Sequence, residues 1–111
     1  MSLYKERNKK MARFLDQQSD LGPGEKKMLH SLGADRRKTY VRNGKEFFRP
    51  YRNYYSAGKN GDKDLDKMVG PGYVKKKEEK GIYTRFWYFV TDEGRLYLQQ
   101  LTGCKIYPEE E

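Results

Sequence analysis

The side chains with most chemistry to offer in this sequence are basic. Arg36, Arg37 and Lys38 stand in a row, Arg42 and Lys45 flank an Asn-Gly pair, and Lys75, Lys76 and Lys77 form a second row. Cations at this density bind polyanions, and nucleic-acid phosphate is the commonest, because each contact releases condensed counterions. Catalysis finds no comparable support. His30 is the only histidine and Cys104 the only cysteine, so neither a zinc site nor a Cys–His nucleophile can be assembled from them. The sequence has no Gly-rich phosphate loop and no G-x-S-x-G elbow. Asp62, Asp64 and Asp66 alternate, which on a helix spreads them around the axis instead of gathering them on one metal ion. The expectation is a binding protein that is not an enzyme and uses no metal or cofactor.

Overall balance points the same way. Lys and Arg number 24 against 16 Asp and Glu, for a net charge of +8 over 111 residues. Such an excess favours a nucleic acid, DNA first, or an acidic protein as partner. Only 35% of residues are apolar and 36% are charged, so the core must draw on the ten tyrosines, five phenylalanines and one tryptophan. No long apolar run is present, so neither a membrane span nor a signal peptide is expected. A lone cysteine forms no internal disulfide, which fits a cytoplasmic location. The length suits one domain, read as a basic N-terminal arm over 1–20, a folded unit over 21–107 and an acidic tail over 108–111.

The elements that would position these cations follow from periodicity and punctuation. Residues 3–18 read as a basic helix with Met11, Phe14 and Leu15 on one side. A helix from Glu25 to Leu32 turns Met28, Leu29 and Leu32 inward and ends at Gly33. Residues 39–48 read as a hairpin, because Asn43-Gly44 supplies the positive φ angles of a type I′ turn. That turn sets Arg42 opposite Lys45, Val41 opposite Glu46 and Tyr40 opposite Phe47. Tyr51–Tyr55 reads as a short strand. Asp62 is the expected N-cap of a helix over 63–69, whose Leu65, Met68 and Val69 share a face. Gly70-Pro71-Gly72 ends it. A strand over 73–77 pairs antiparallel with a longer one over 82–90, and Thr91 caps a last helix bearing Leu96, Tyr97, Leu98 and Leu101. The expected core is Met28, Leu29, Leu32, Leu65, Met68, Val69, Phe86, Val90 and Leu98. Phe86 and Tyr88 alternate with Trp87 and Phe89, so the second face of that strand meets the N-terminal helix or another copy of the chain, and a homodimer is an expected partner.

The stretch Leu65-x-x-Met68-Val69-x-x-Gly72-Tyr73-Val74, followed by Val90-Thr91-Asp92-Glu93-Gly94-Arg95 and Leu98, resembles the recognition helix, wing and closing helix of MarR-type winged helix-turn-helix regulators. Tyr51-Arg52-Asn53-Tyr54-Tyr55 with Gly58 is similar to small phage and prophage proteins of winged-helix type. The resemblance implies an α+β fold with a small antiparallel sheet on three to four helices, the hairpin at 39–48 being extra. It also implies DNA binding, with the helix at 62–69 in the major groove and the wing on phosphates. That helix, however, carries three acids against two lysines, whereas wing residues 75–80 carry four lysines against two glutamates. Phosphate is therefore expected at Arg36, Arg37, Lys38, Arg42, Lys45, Lys75, Lys76 and Lys77, away from the helix. The alternative is a winged-helix scaffold whose tyrosines and cations meet an acidic protein.

Overall fold

The computed structural model describes residues 14–18 and 20–108, and shows an α+β chain. Most of the expected N-terminal helix, together with residues 109–111 of the acidic tail, lies outside the described residues. Its described end is a 3-10 turn at Leu15–Gln17 that buries Leu15 completely. Then come α1 (Pro23–Ser31), β1 (Tyr40–Arg42), β2 (Lys45–Phe48), β3 (Tyr55–Ala57), α2 (Lys63–Val69), β4 (Val74–Glu79), β5 (Arg85–Val90), α3 (Asp92–Thr102) and β6 (Lys105–Ile106).

The strands form two sheets, in the orders β1-β2-β6 and β3-β5-β4. The first holds the expected hairpin in the expected register, Tyr40 with Phe47, Val41 with Glu46 and Arg42 with Lys45. Asn43 and Gly44 have φ of 53° and 78°, as a type I′ turn requires. Its third strand went unread: Phe47 and Phe48 pair in parallel with Lys105 and Ile106, and two residues give no periodicity to detect. The second sheet pairs β4 with β5 from Val74–Val90 to Glu79–Arg85. Strand β4 therefore runs through Lys75–Glu79, further than the expected 77, because a ladder on a sheet edge tolerates charged side chains. Strand β5 begins at Arg85, not Ile82; Ile82 and Tyr83 project at the tip, 94% and 85% exposed.

The strand expected at 51–55 begins only at Tyr55 and pairs with β5 through Tyr55–Tyr88 and Ala57–Phe86. Ahead of it the Asn53 side chain imitates a strand residue, its amide donating to the Val90 carbonyl and accepting from the Val90 N–H, both at 2.8 Å. Both expected caps form. Asp62 Oδ1 accepts from the Asp64 and Leu65 N–H groups at 3.0 Å, and Thr91 Oγ1 accepts from Gly94 N–H at 3.0 Å. Gly94 has no substitute, since a Cβ there would strike the Tyr73 carbonyl where α3 crosses the start of β4.

Of the expected core, Met28, Leu29, Leu32, Leu65, Val90 and Leu98 are buried, while Met68 and Phe86 are half-buried. Val69 is not core: it ends α2 at 36% exposure, where Gly70-Pro71-Gly72 turns the chain out of the helix and into β4. Leu15, Leu21, Ala34, Phe48, Val74, Tyr88, Cys104 and Ile106 complete the core among the described residues. Tyr88 matters most, being 1% exposed with a hydroxyl that accepts from Asp62 N–H and donates to Asp66 Oδ1, each at 2.8 Å. It pins the start of α2 to the middle of β5. Tyr88→Phe keeps the ring but leaves a helix N–H without its acceptor, so a loss of about 1–3 kcal/mol is expected in urea unfolding. A loss near zero would show that the ring alone holds this junction.

Candidate nucleic-acid interface

Helix α2 packs on α1 and on the inner face of β3-β5-β4, and its charges divide accordingly. All three aspartates turn toward lysines on neighbouring elements. Lys27 of α1 reaches Asp62 Oδ2 at 2.8 Å and Asp64 Oδ2 at 2.7 Å, and Lys76 of β4 reaches Asp66 Oδ1 at 2.8 Å. Lys63 and Lys67, one turn apart, are exposed. The sequence count of three acids against two lysines thus misjudges the surface, because Lys27 and Lys76 answer those acids from outside the helix.

These bonds set the protonation behaviour of the cluster. Burial is the largest single influence and pushes the Asp62 and Asp66 carboxyls up. The lysine hydrogen bonds, joined by the Leu65 and Asp64 N–H groups at Asp62 and the Tyr88 hydroxyl at Asp66, together outweigh it and hold both below the usual 3.8. The same lysine hydrogen bonds raise Lys27 and Lys76 above 10.5. Elsewhere, Tyr97 donates to Glu25 Oε2 at 2.7 Å, and that bond together with burial raises its hydroxyl to about 12, joining α3 to α1.

The wing lysines part company. Cross-strand alternation puts Lys76 on the inner face with Tyr88, where it also sits 4.4 Å from the centre of the Phe86 ring. Lys75 and Lys77 lie on the outer face, opposite Phe89 and Trp87. Arg42 and Lys45 face each other, exposed, at the hairpin tip. Arg36, Arg37 and Lys38 occupy the turn after α1. Arg36 pairs with Asp35 at 3.9 Å, Arg37 lies 4.4 Å over the Tyr51 ring, and Lys38 lies 5.8 Å from the Phe14 ring. Nearby, His30 Nδ1 contacts Asp35 Oδ2 at 2.6 Å, and Arg52 donates to the His30 carbonyl at 2.7 Å. His30 is therefore a structural residue of this turn.

The eight expected residues do not gather at one point. The hairpin pair belongs to one sheet, Lys75 and Lys77 to the outer face of the other, Lys76 to an ion pair with Asp66 on its α2 side, and Arg36–Lys38 to a turn. Sequence reading passed over Lys63 and Lys67, which stand at helical spacing but were outvoted by the acids between them. It also passed over Lys105, joined to the hairpin only through the unread strand β6. Among the described residues no group of His, Cys, Asp and Glu could hold a metal ion, and no helix is long and apolar enough to cross a membrane. No family model matches the chain, and neither a curated protein nor a solved structure matches it.

The lysine–aspartate cluster fixes the acid limb of stability. A carboxyl held below 3.8 when folded contributes stability above that pH and loses it as pH falls through the lowered value. The lysines, raised when folded, contribute fully below 10.5 and lose it only at higher pH. Between these limits the contribution is flat. Urea midpoints measured from pH 7 down to pH 2.5 should fall below about pH 4 for wild type, and less steeply for Asp62→Asn/Asp66→Asn. Identical acid limbs would mean that these carboxylates do not carry the effect.

Proposed function

We propose that the chain is a non-enzymatic, nucleic-acid-binding protein of winged-helix type, a small regulator of the phage or prophage kind, that holds duplex DNA through its phosphates. The observation that carries this reading is the inward pairing of every α2 aspartate. It leaves Lys63 and Lys67 on the outward side of the helix, next in the chain to a wing whose outer face bears Lys75 and Lys77. Support also comes from the order β3, α2, β4, β5, α3 with β5 central in its sheet, which is the layout the sequence resemblance implies. The hairpin-tip pair Arg42 and Lys45 adds a further phosphate contact. A groove-facing helix needs a surface that does not repel phosphate, and α2 meets that condition once its acids are answered from within.

A second reading is a protein-interaction module meeting an acidic partner. It draws on one observation: the wing tip exposes Ile82 and Tyr83 almost fully, and large apolar side chains at such a tip suit a protein surface. Fluorescence anisotropy on a random-sequence DNA duplex across a salt series separates the two. Lys63→Ala/Lys67→Ala and Lys75→Ala/Lys77→Ala should each lower the slope of log K against log salt by about 2 and weaken all sequences alike. Wild type failing to bind any nucleic acid at low salt would overturn the first reading and leave the second.

A further inference from the structure

The sheet β1-β2-β6 has one face in the core, through Phe48 and Ile106, and one turned outward. Three rings stand in a row on the outward face. Tyr40 and Phe47 have centroids 5.5 Å apart and planes at 19°, and Phe47 and Tyr107 have centroids 6.0 Å apart and planes at 14°. Alternation along the strands sets Arg42, Lys45, Arg49 and Lys105 on that same face, all exposed. Arg49 spans the row, its guanidinium 4.4 Å over Tyr107 and its Nε donating to the Tyr40 hydroxyl at 3.1 Å. The one carboxylate within these strands, Glu46, belongs to the opposite face, where it accepts from Thr39 at 3.0 Å.

The row does not stop at Tyr107. That ring lines a cleft of about 720 Å³ whose lining also includes Lys75 and Phe89, from the outer face of the β3-β5-β4 sheet, and one carboxylate, Asp92, which Arg95 approaches to 3.8 Å. Beyond Phe89 on that face, Trp87 meets Tyr54 edge to face at 6.0 Å. A strip of rings edged by cations thus crosses from one sheet to the other.

We propose that this strip binds single-stranded nucleic acid, with unpaired bases stacking along the ring row from Tyr40 through the cleft toward Phe89 and phosphates on the cations beside it. Duplex bases are already stacked and paired, so rings standing on a sheet offer them nothing. An unpaired base of any sequence can stack on an aromatic side chain, and the bordering cations compensate its phosphate. The proposal shares with the preceding reading its partner class and the cations Arg42, Lys45 and Lys75, but its diagnostic rings, Tyr40 and Phe47, lie outside α2 and the β4-β5 hairpin.

The test compares the full chain binding labelled oligothymidylate, the same oligomer with abasic sugars throughout, and a random duplex, all at one low salt concentration. Base stacking predicts that wild type binds the abasic oligomer about fivefold or more weakly than oligothymidylate. Tyr40→Leu and Phe47→Leu keep apolar bulk while removing the π face. Each should lose a similar factor on oligothymidylate and change little on the abasic oligomer or the duplex. Equal wild-type affinity with and without bases overturns the stacking site, and this comparison needs no variant to fold. Duplex binding without single-strand binding also overturns it while sparing the winged-helix reading; binding to neither overturns both.

Discussion

Two carboxylates on a seven-residue helix and a third at its N-cap repel one another and any polyanion, and the structure depends on how that repulsion is answered. Asp62 is fully employed: one oxygen caps the helix, the other takes Lys27, and its backbone N–H meets the buried Tyr88 hydroxyl. Asp66 takes Lys76 and the same hydroxyl. The acids thereby become the joints that fasten α2 to α1 on one side and to the wing sheet on the other. Exposed ion pairs contribute little to stability, but here the Asp62 side chain is only 10% exposed and tied to backbone and side-chain donors at once.

That solution shapes the surface as well as the fold. With every α2 acid drawn inward, the positive charge left on this helix points outward. Lys76, central in the basic run of β4, turns to the α2 side of the sheet and pairs with Asp66 while staying exposed. The outer face of the β4-β5 hairpin is left to Lys75, Lys77 and the rings of Trp87 and Phe89. The hairpin sheet solves a different problem, covering its outer face with stacked rings and cations and turning the one carboxylate of its strands, Glu46, to the other face.

Where short-range chemistry decides, the sequence was legible. Asn43-Gly44 dictated the hairpin register residue by residue, because a two-residue turn allows one pairing. Asp62 and Thr91 announced the helices they cap, and the apolar spacing of Met28, Leu29 and Leu65 marked buried faces. Long-range contacts were not legible. Strand β6 exists only because α3 returns Lys105 and Ile106 beside β2. Tyr88 looked like one aromatic among many, and its role depends on Asp62 and Asp66 lying across from it. The α2 charge count erred for the same reason, since Lys27 lies 35 residues before Asp62. The candidate surface was legible only in part: Arg42, Lys45, Lys75 and Lys77 could be named as exposed cations, but Lys63, Lys67 and Lys105 needed their neighbours in place.

Residue-resolved NMR tests nucleic-acid binding by these faces most directly. Isotope-labelled chain would be titrated with a random DNA duplex at low salt while backbone and lysine side-chain resonances are followed. The structure predicts shifts concentrated at Lys63, Lys67, Lys75 and Lys77, with the ammonium groups of Lys27 and Lys76 unmoved because their aspartates hold them. Perturbation absent from all of these residues at saturating duplex, or centred on Lys27 and Lys76 with α2 released from the sheet, would contradict it.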